Sequence, residues 1–152
     1  MTVLTTDLIL PNLPATSKKQ VFQELSHHTV KLYDGDAETM LDCLLEREKI
    51  GSTGIGGGVA IPHIKIDGLD RMIGVLAQLD NAIQYDALDE QPVDLVFMLL
   101  APSHIKSNLH LKMLAKISRF LRDPLNCAQL RSAVTTEDIQ NIIDEWRNNQ
   151  AA

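Results

Sequence analysis

Two histidines and a glycine-dense loop hold the chemistry this chain offers. The loop is Gly51-Ser-Thr-Gly-Ile-Gly-Gly-Gly-Val-Ala-Ile-Pro-His63. Glycines free the backbone to take positive φ and clear side chains from its path. Histidine is a nucleophile and a base near neutral pH. The stretch therefore reads as a permissive loop, a short apolar run and a rigid proline that deliver one imidazole, His63, to an exposed point. The second histidine is His110, in the first turns of a helical pattern that continues through Leu114, Ile117 and Leu121. On that face it is either a hydrogen-bonded core histidine or a partner of His63. A buried imidazole without a hydrogen bond costs about 1–3 kcal/mol. His27, His28 and His104 read as surface residues.

Three chemistries use paired histidines. Zinc needs three or four ligands, and no third ligand stands at metal spacing. Triad hydrolysis needs a nucleophile; Ser52 is near, but there is no Gly-x-Ser-x-Gly elbow. Phosphoryl transfer to an imidazole needs one ring nitrogen free, the other held by a hydrogen bond, and cationic or N–H donors around the phosphate. Arg47, Lys65, His110 and the amides of Gly54, Gly56, Gly57 and Gly58 are the candidate donors. The loop is not a dinucleotide fingerprint, because Val59 stands at the sixth place. It is not a P-loop either, because no Gly-Lys-Ser/Thr follows. It reads as either an anion-binding concavity or a tight turn between helix and strand.

The elements that would position these groups follow from hydrophobic period and caps. Ser17 and Gln20 form a capping-box pattern ahead of a helix over about 17–30. Gly35-Asp36 opens a second helix, with Met40, Leu41, Leu44 and Leu45 on one face, ending near Lys49. Val59–Ile61 is a short strand expected to stop at Pro62 or lie at an edge, which puts His63 at a strand end. Met72–Leu79 is a second strand and Asn81–Tyr85 a short third. Val93–Ala101, apolar except for Asp94, is a central strand covered on both faces and closed by Pro102. A helix follows from Lys106 to Arg122. Asp123 and Pro124 suit the N-cap and first position of the next. Thr135 or Thr136 caps the last, whose apolar stripe is Ile139, Ile142, Ile143 and Trp146. The expected architecture is α/β: a single domain over 1–152, with a mixed sheet flanked by helices.

Composition sets the outer limits. The 152 residues are 45% hydrophobic and carry a formal net charge of −6, which opposes nucleic-acid binding without a concentrated basic patch. Lys106, Lys112, Lys116, Arg119 and Arg122 fall around a helix and read as a solvated face. No apolar run approaches the ~20 residues of a membrane span. Cys43 and Cys127 lack metal spacing and read as reduced thiols of a cytoplasmic protein. Met1–Asp7 lacks the pattern of a signal peptide.

With these residues in place, the chain resembles the IIA component of the bacterial phosphoenolpyruvate-dependent phosphotransferase system, in its fructose–mannitol–nitrogen class. The resemblance lies in four stretches: Leu45–Gly56, Val59-Ala-Ile-Pro-His63, Gln91–Pro102 and His110–Asp123. Leu13–Lys19 and Asp86–Pro92 are most similar to the nitrogen-regulatory subtype. It implies the mannitol-type IIA fold and no cofactor or metal. His63 would take a phosphoryl group from a phosphohistidine of a small HPr-like carrier. His110 would orient or stabilise that group, and Arg47 would contact it. Regulatory targets such as sensor kinases or potassium transport systems are implied as partners. A sugar-specific IIA passing phosphate to a IIB component, or a binding module with a degenerate site, are the alternatives. Two positions depart from the family pattern: Ile64 replaces a glycine after the active histidine, and Gly56-Gly57-Gly58 replaces Gly-Asn-Gly. Ile64 beside the acceptor predicts narrower access to it.

Overall fold

The computed structural model describes residues 4–105 and 107–151, so the expected helix start at Lys106 lies outside the described residues. In chain order the elements are β1 (Leu8–Leu13), α1 (Lys18–Thr29), a 3-10 turn (Val30–Leu32), α2 (Ala37–Ile50), β2 (Gly54–Gly56) and β3 (Val59–Ala60). They continue with β4 (His63–Ile66), β5 (Ile73–Ile83), β6 (Val93–Pro102), α3 (Ser107–Arg122), α4 (Pro124–Ser132) and α5 (Thr136–Ala151). The sheet order is β1-β5-β6-β3-β2, and β4 also pairs with β6. β5 and β6 are antiparallel, whereas β1 on β5, and β3 and β4 on β6, are parallel. The sheet is therefore mixed, as the sequence predicts.

β6 shows why its apolar run carries no alternation. Val96, Met98 and Leu100 face one core, with Phe22, Leu25, Met40 and Leu44 of α1 and α2. Leu95, Phe97 and Leu99 face the other, with Ile117, Phe120, Leu130, Ile139 and Ile143 of α3–α5. A strand sandwiched between helical layers buries both faces, so both sets of positions are apolar.

The helix ends follow their capping residues. The Ser17 hydroxyl accepts from the Gln20 amide at 3.2 Å, and the Gln20 side chain reaches back to the amide of Thr16 at 2.7 Å. That return bond lands one residue earlier than a capping box requires. Asp123 accepts from the Leu125 amide ahead of Pro124. Between the two candidates for the last cap, Thr135 takes the role: its hydroxyl accepts from the Asp138 amide and Asp138 accepts from the Thr135 amide.

Two expectations are corrected and one element is new: β1, an edge strand, in which Pro11 loses little from its missing donor. The two strands expected over Met72–Leu79 and Asn81–Tyr85 are one strand, with a register shift between Gln78 and Ile83 absorbing the polar Asp80-Asn81. The short strand does stop before Pro62, as expected, but pairing resumes beyond it. The Pro62 carbonyl accepts from the Leu99 amide at 2.9 Å, and β4 resumes the ladder with His63 opposite Leu99. His63 begins a strand rather than ending one, because a proline removes one donor and leaves the next rungs intact.

Candidate functional site

His63 is the first residue of β4 and half-buried. Side chains alternate along a strand. Ile64 packs with the α1/α2 core and Ile66 is buried there, so His63 and Lys65 project to the other face, where the opposing residue Leu99 also points. The His63 Nδ1 lies 2.7 Å from the carbonyl oxygen of Ile61. A carbonyl only accepts, so Nδ1 carries the proton and Nε2 keeps its lone pair. The ring is held as a nucleophile with a defined reactive nitrogen.

His110 lies on α3, over the same face, close enough that the charges of Lys65 and His63 both bear on it. Burial first, then Lys65, then His63, hold its pKa below the usual histidine value. Near neutral pH it is an uncharged donor and acceptor. Its Nδ1 is buried and finds no hydrogen-bond partner among the described residues. This differs from the satisfied core histidine that one reading of the sequence allowed.

The depressed His110 pKa has a consequence for stability. Below about pH 6.5 the unfolded chain binds a proton that the folded chain resists. The stability is fully present above that value and is lost as pH falls through the lower folded pKa. Denaturant melts on acidification should therefore show a steeper loss for wild type than for His110→Gln, which cannot titrate; parallel curves would remove His110 as the source.

Arg47 is in the last turn of α2, the helix that packs against β4. Its Nη1 donates to the Gly51 carbonyl at 2.9 Å, closing the end of that helix. One of its five N–H donors is thus engaged in the fold.

The glycines do not gather around His63. Gly56, Gly57 and Gly58 form the β2–β3 hairpin turn, with φ of 96°, 66° and 82°. Three successive positive φ angles are what this turn demands of them. The Gly57 amide donates to the Asp89 carboxylate at 3.0 Å, and its carbonyl accepts from Arg131 at 2.8 Å. Gly58 precedes Val59, opposite Leu95, whereas His63 lies opposite Leu99. That places the turn about 13 Å from His63 along the strand direction. Gly54 lies in β2, where its amide donates to the Ser52 hydroxyl and an added Cβ would sit 2.6 Å from Ala87 Cβ. Gly56, Gly57 and Gly58 thus shape a hairpin turn, Gly54 lies in the strand before it, and a carboxylate already occupies the amide of Gly57.

Ile64 is accommodated. It has no positive φ and packs away from His63 on the opposite face of the sheet. On that face it does not narrow access to the His63 ring. His27 and His104 are exposed and His28 sits 3.6 Å from Glu24, as surface residues. Lys112, Arg119 and Arg122 are exposed and Lys116 is half-buried. Glu48, Thr53 and Tyr85 are the residues that sequence reasoning missed. Nothing in their spacing signals that α2, the α2–β2 connection and the β5–β6 connection bring them together next to Ile61.

A mixed sheet between two helical layers, with an imidazole on a strand beside a second histidine, places the chain in the class of mannitol-type IIA folds. The IIA mannitol protein of Escherichia coli superposes with a TM-score of 0.73 over 89% of this chain and 94% of its own, at 19% identity. The family model described as "Phosphoenolpyruvate-dependent sugar phosphotransferase system, EIIA 2" matches residues 2–146, and the chain belongs to that family. Within it, the chain is similar to a nitrogen regulatory protein of Bradyrhizobium diazoefficiens, 42% identical over 90% of this chain and 89% of that protein. A nitrogen regulatory protein of Pseudomonas aeruginosa is 38% identical over 97% and 96% of the two chains. The crystal structure of nitrogen regulatory protein IIA-Ntr from Neisseria meningitidis has a TM-score of 0.82 at 30% identity, covering 90% of this chain and 92% of its own.

Proposed function

We propose that this chain is a regulatory phosphocarrier of the nitrogen-related branch of the phosphotransferase system. It accepts a phosphoryl group on Nε2 of His63 from a phosphohistidine of an HPr-like protein. The observation that carries this reading is the His63 Nδ1–H bond to Ile61, which leaves Nε2 as the nucleophile next to Lys65 and His110.

In the step, the Nε2 lone pair attacks phosphorus while the donor's P–N bond breaks and its electron pair returns to the donor ring. The donor ring begins as a phosphoimidazolium, protonated at its other nitrogen, and leaves neutral. His63 keeps its Nδ1 proton and becomes the phosphoimidazolium. No proton changes hands, so the exchange is nearly symmetric. Lys65 and an N–H of His110 stabilise the transferring oxygens, and Arg47 contributes the rest of its guanidinium fork. As negative charge arrives beside His110, its protonated form is favoured and its donor strength rises. His110→Ala should keep the fold and lower the rate of acceptance by roughly 100–1,000-fold, the scale of losing one preorganised donor. Global unfolding of that variant would instead mark His110 as a core residue.

The regulatory subtype is supported by the nitrogen regulatory relatives, at 42% and 38% identity. A sugar-specific role has two relatives in its favour: a fructose-specific EIIA component of Haloferax volcanii, 34% identical over 72% of this chain, and a fructose-specific EIIABC component of Bacillus subtilis, 31% identical over 94% of it. Labelled phosphoenolpyruvate with the two upstream phosphotransferase proteins tests the chemistry, and absence of label on wild type would refute it. A pull-down with phosphorylated and unphosphorylated protein tests regulation. A target retained in one state supports it, whereas onward transfer of label to a IIB protein supports the sugar-specific role.

A further inference from the structure

The proton on His63 is placed by the Ile61 carbonyl, and that carbonyl is placed by a buried network behind it. Ile61 precedes Pro62, which restricts it to extended backbone. Its amide donates to the Thr53 carbonyl at 2.9 Å. Thr53 is 4% exposed and anchored from several sides. Its amide donates to Glu48 Oε2 at 3.1 Å and its hydroxyl to Glu48 Oε1 at 2.6 Å. A hydroxyl has one proton, so the Tyr85 hydroxyl, 2.8 Å away, must be the donor to Thr53 Oγ1. Burial raises the Tyr85 pKa and keeps that phenol protonated. Lys18 Nζ lies 3.0 Å from Glu48 Oε2 and 4.5 Å from the centre of the Tyr85 ring, so the carboxylate is neutralised in place.

The network thus draws on α1, α2, the residue before β2 and the chain after β5, and it ends on the residue bonded to Ile61. Buried ion pairs add little net stability compared with apolar packing of the same volume. Placement is what this one supplies. We propose that Glu48 and Thr53 are positioning residues for transfer at His63: through Thr53 they hold Ile61 so that its carbonyl keeps the proton on Nδ1 and the lone pair on Nε2. This inference rests on the phosphocarrier reading for its consequence in rate, but not for its consequence in tautomer.

The experiment reads both. Nitrogen-15 shifts of the His63 ring, recorded without any donor, report the tautomer in wild type, Thr53→Val, Glu48→Ala and Thr53→Ser. Wild type should be predominantly the Nδ1–H form. Thr53→Val and Glu48→Ala should show both tautomers and accept phosphate about tenfold more slowly at saturating donor, with half-saturation unchanged, as expected for a misplaced reacting group. Thr53→Ser should restore both. A wild type with mixed tautomers would overturn the inference. So would folded variants that lose thermal stability but keep the wild-type tautomer and rate. If Glu48→Ala does not fold, Thr53→Val decides. A wild type that accepts no phosphate refutes the proposed function, and the tautomer shifts then settle the positioning on their own.

Discussion

His63→Ala should accept no phosphoryl group, a loss of more than about 10³-fold in labelling from the donor, because the bond-forming nitrogen is gone. His110 cannot replace it. Its Nδ1 is buried, and phosphate on its other nitrogen would lack the carbonyl-held tautomer that prepares His63. The fold should survive, since among the described residues the half-buried His63 ring makes one hydrogen bond, to the Ile61 carbonyl. Circular dichroism and a thermal melt check the fold, and gel autoradiography after incubation with labelled phosphoenolpyruvate checks transfer. His63→Gln should behave alike, because an amide has the polarity of the ring without its nucleophilicity. Full label on either variant would place the acceptor elsewhere.

A large loss of stability without loss of chemistry is expected at Gln78, far from His63 on β5. Gln78 is 9% exposed and ties three parts of the fold together. Its amide nitrogen donates to the carbonyls of Leu130 and Ala133, at 2.8 and 2.7 Å, where α4 ends. Its oxygen accepts from the amide of Asn12 at 3.0 Å, in β1. Gln78→Leu keeps the volume and strands the Asn12 amide and the Ala133 carbonyl. Each stranded group costs about 1–3 kcal/mol, so a loss of about 3 kcal/mol is expected. For a domain of this size that lowers the melting temperature by roughly 10 °C. Urea denaturation measures it. A loss near zero would mean that water reaches both groups. Transfer to His63 should proceed at the wild-type rate below the melt, since the two sites share no residue.

The elements legible in the sequence are those whose signal is local. The helices starting near residues 17, 36 and 135 each announce themselves by a capping side chain and a 3.6-residue apolar stripe, and the one after Asp123 by that cap and Pro124. Val93–Ala101 is legible as a central strand because both of its faces must be apolar. β1, β2 and β4 are not, because their strand character comes from neighbours: β1 pairs with β5, β2 with β3 and β4 with β6. Two to six residues carry too little periodicity to declare a strand unless a partner is already present.

The candidate site divides in the same way. His63 and His110 stand out by residue type and by what precedes them, and the family follows from motifs that are contiguous in the chain. The glycine loop is ambiguous in sequence, because positive φ serves a hairpin turn and an anion cradle equally well, and only the strand register shows which end of the sheet it occupies. Ile64 looked obstructive while its face was unknown; one residue of alternation turns it away from the acceptor. The reactive nitrogen of His63 is likewise a tertiary matter. Residue types dictate that an imidazole is available, that a second imidazole and cations are at hand, and that apolar helices will cover both faces of a strand. The choice between Nδ1 and Nε2 belongs to one carbonyl, that of Ile61, whose direction depends on Pro62 and on Thr53. Thr53 is itself held by Glu48 and Tyr85 from other elements. Hydrogen bonds between residues distant in the chain have no periodicity and no spacing, so they exist only once the sheet and its helices have closed around them.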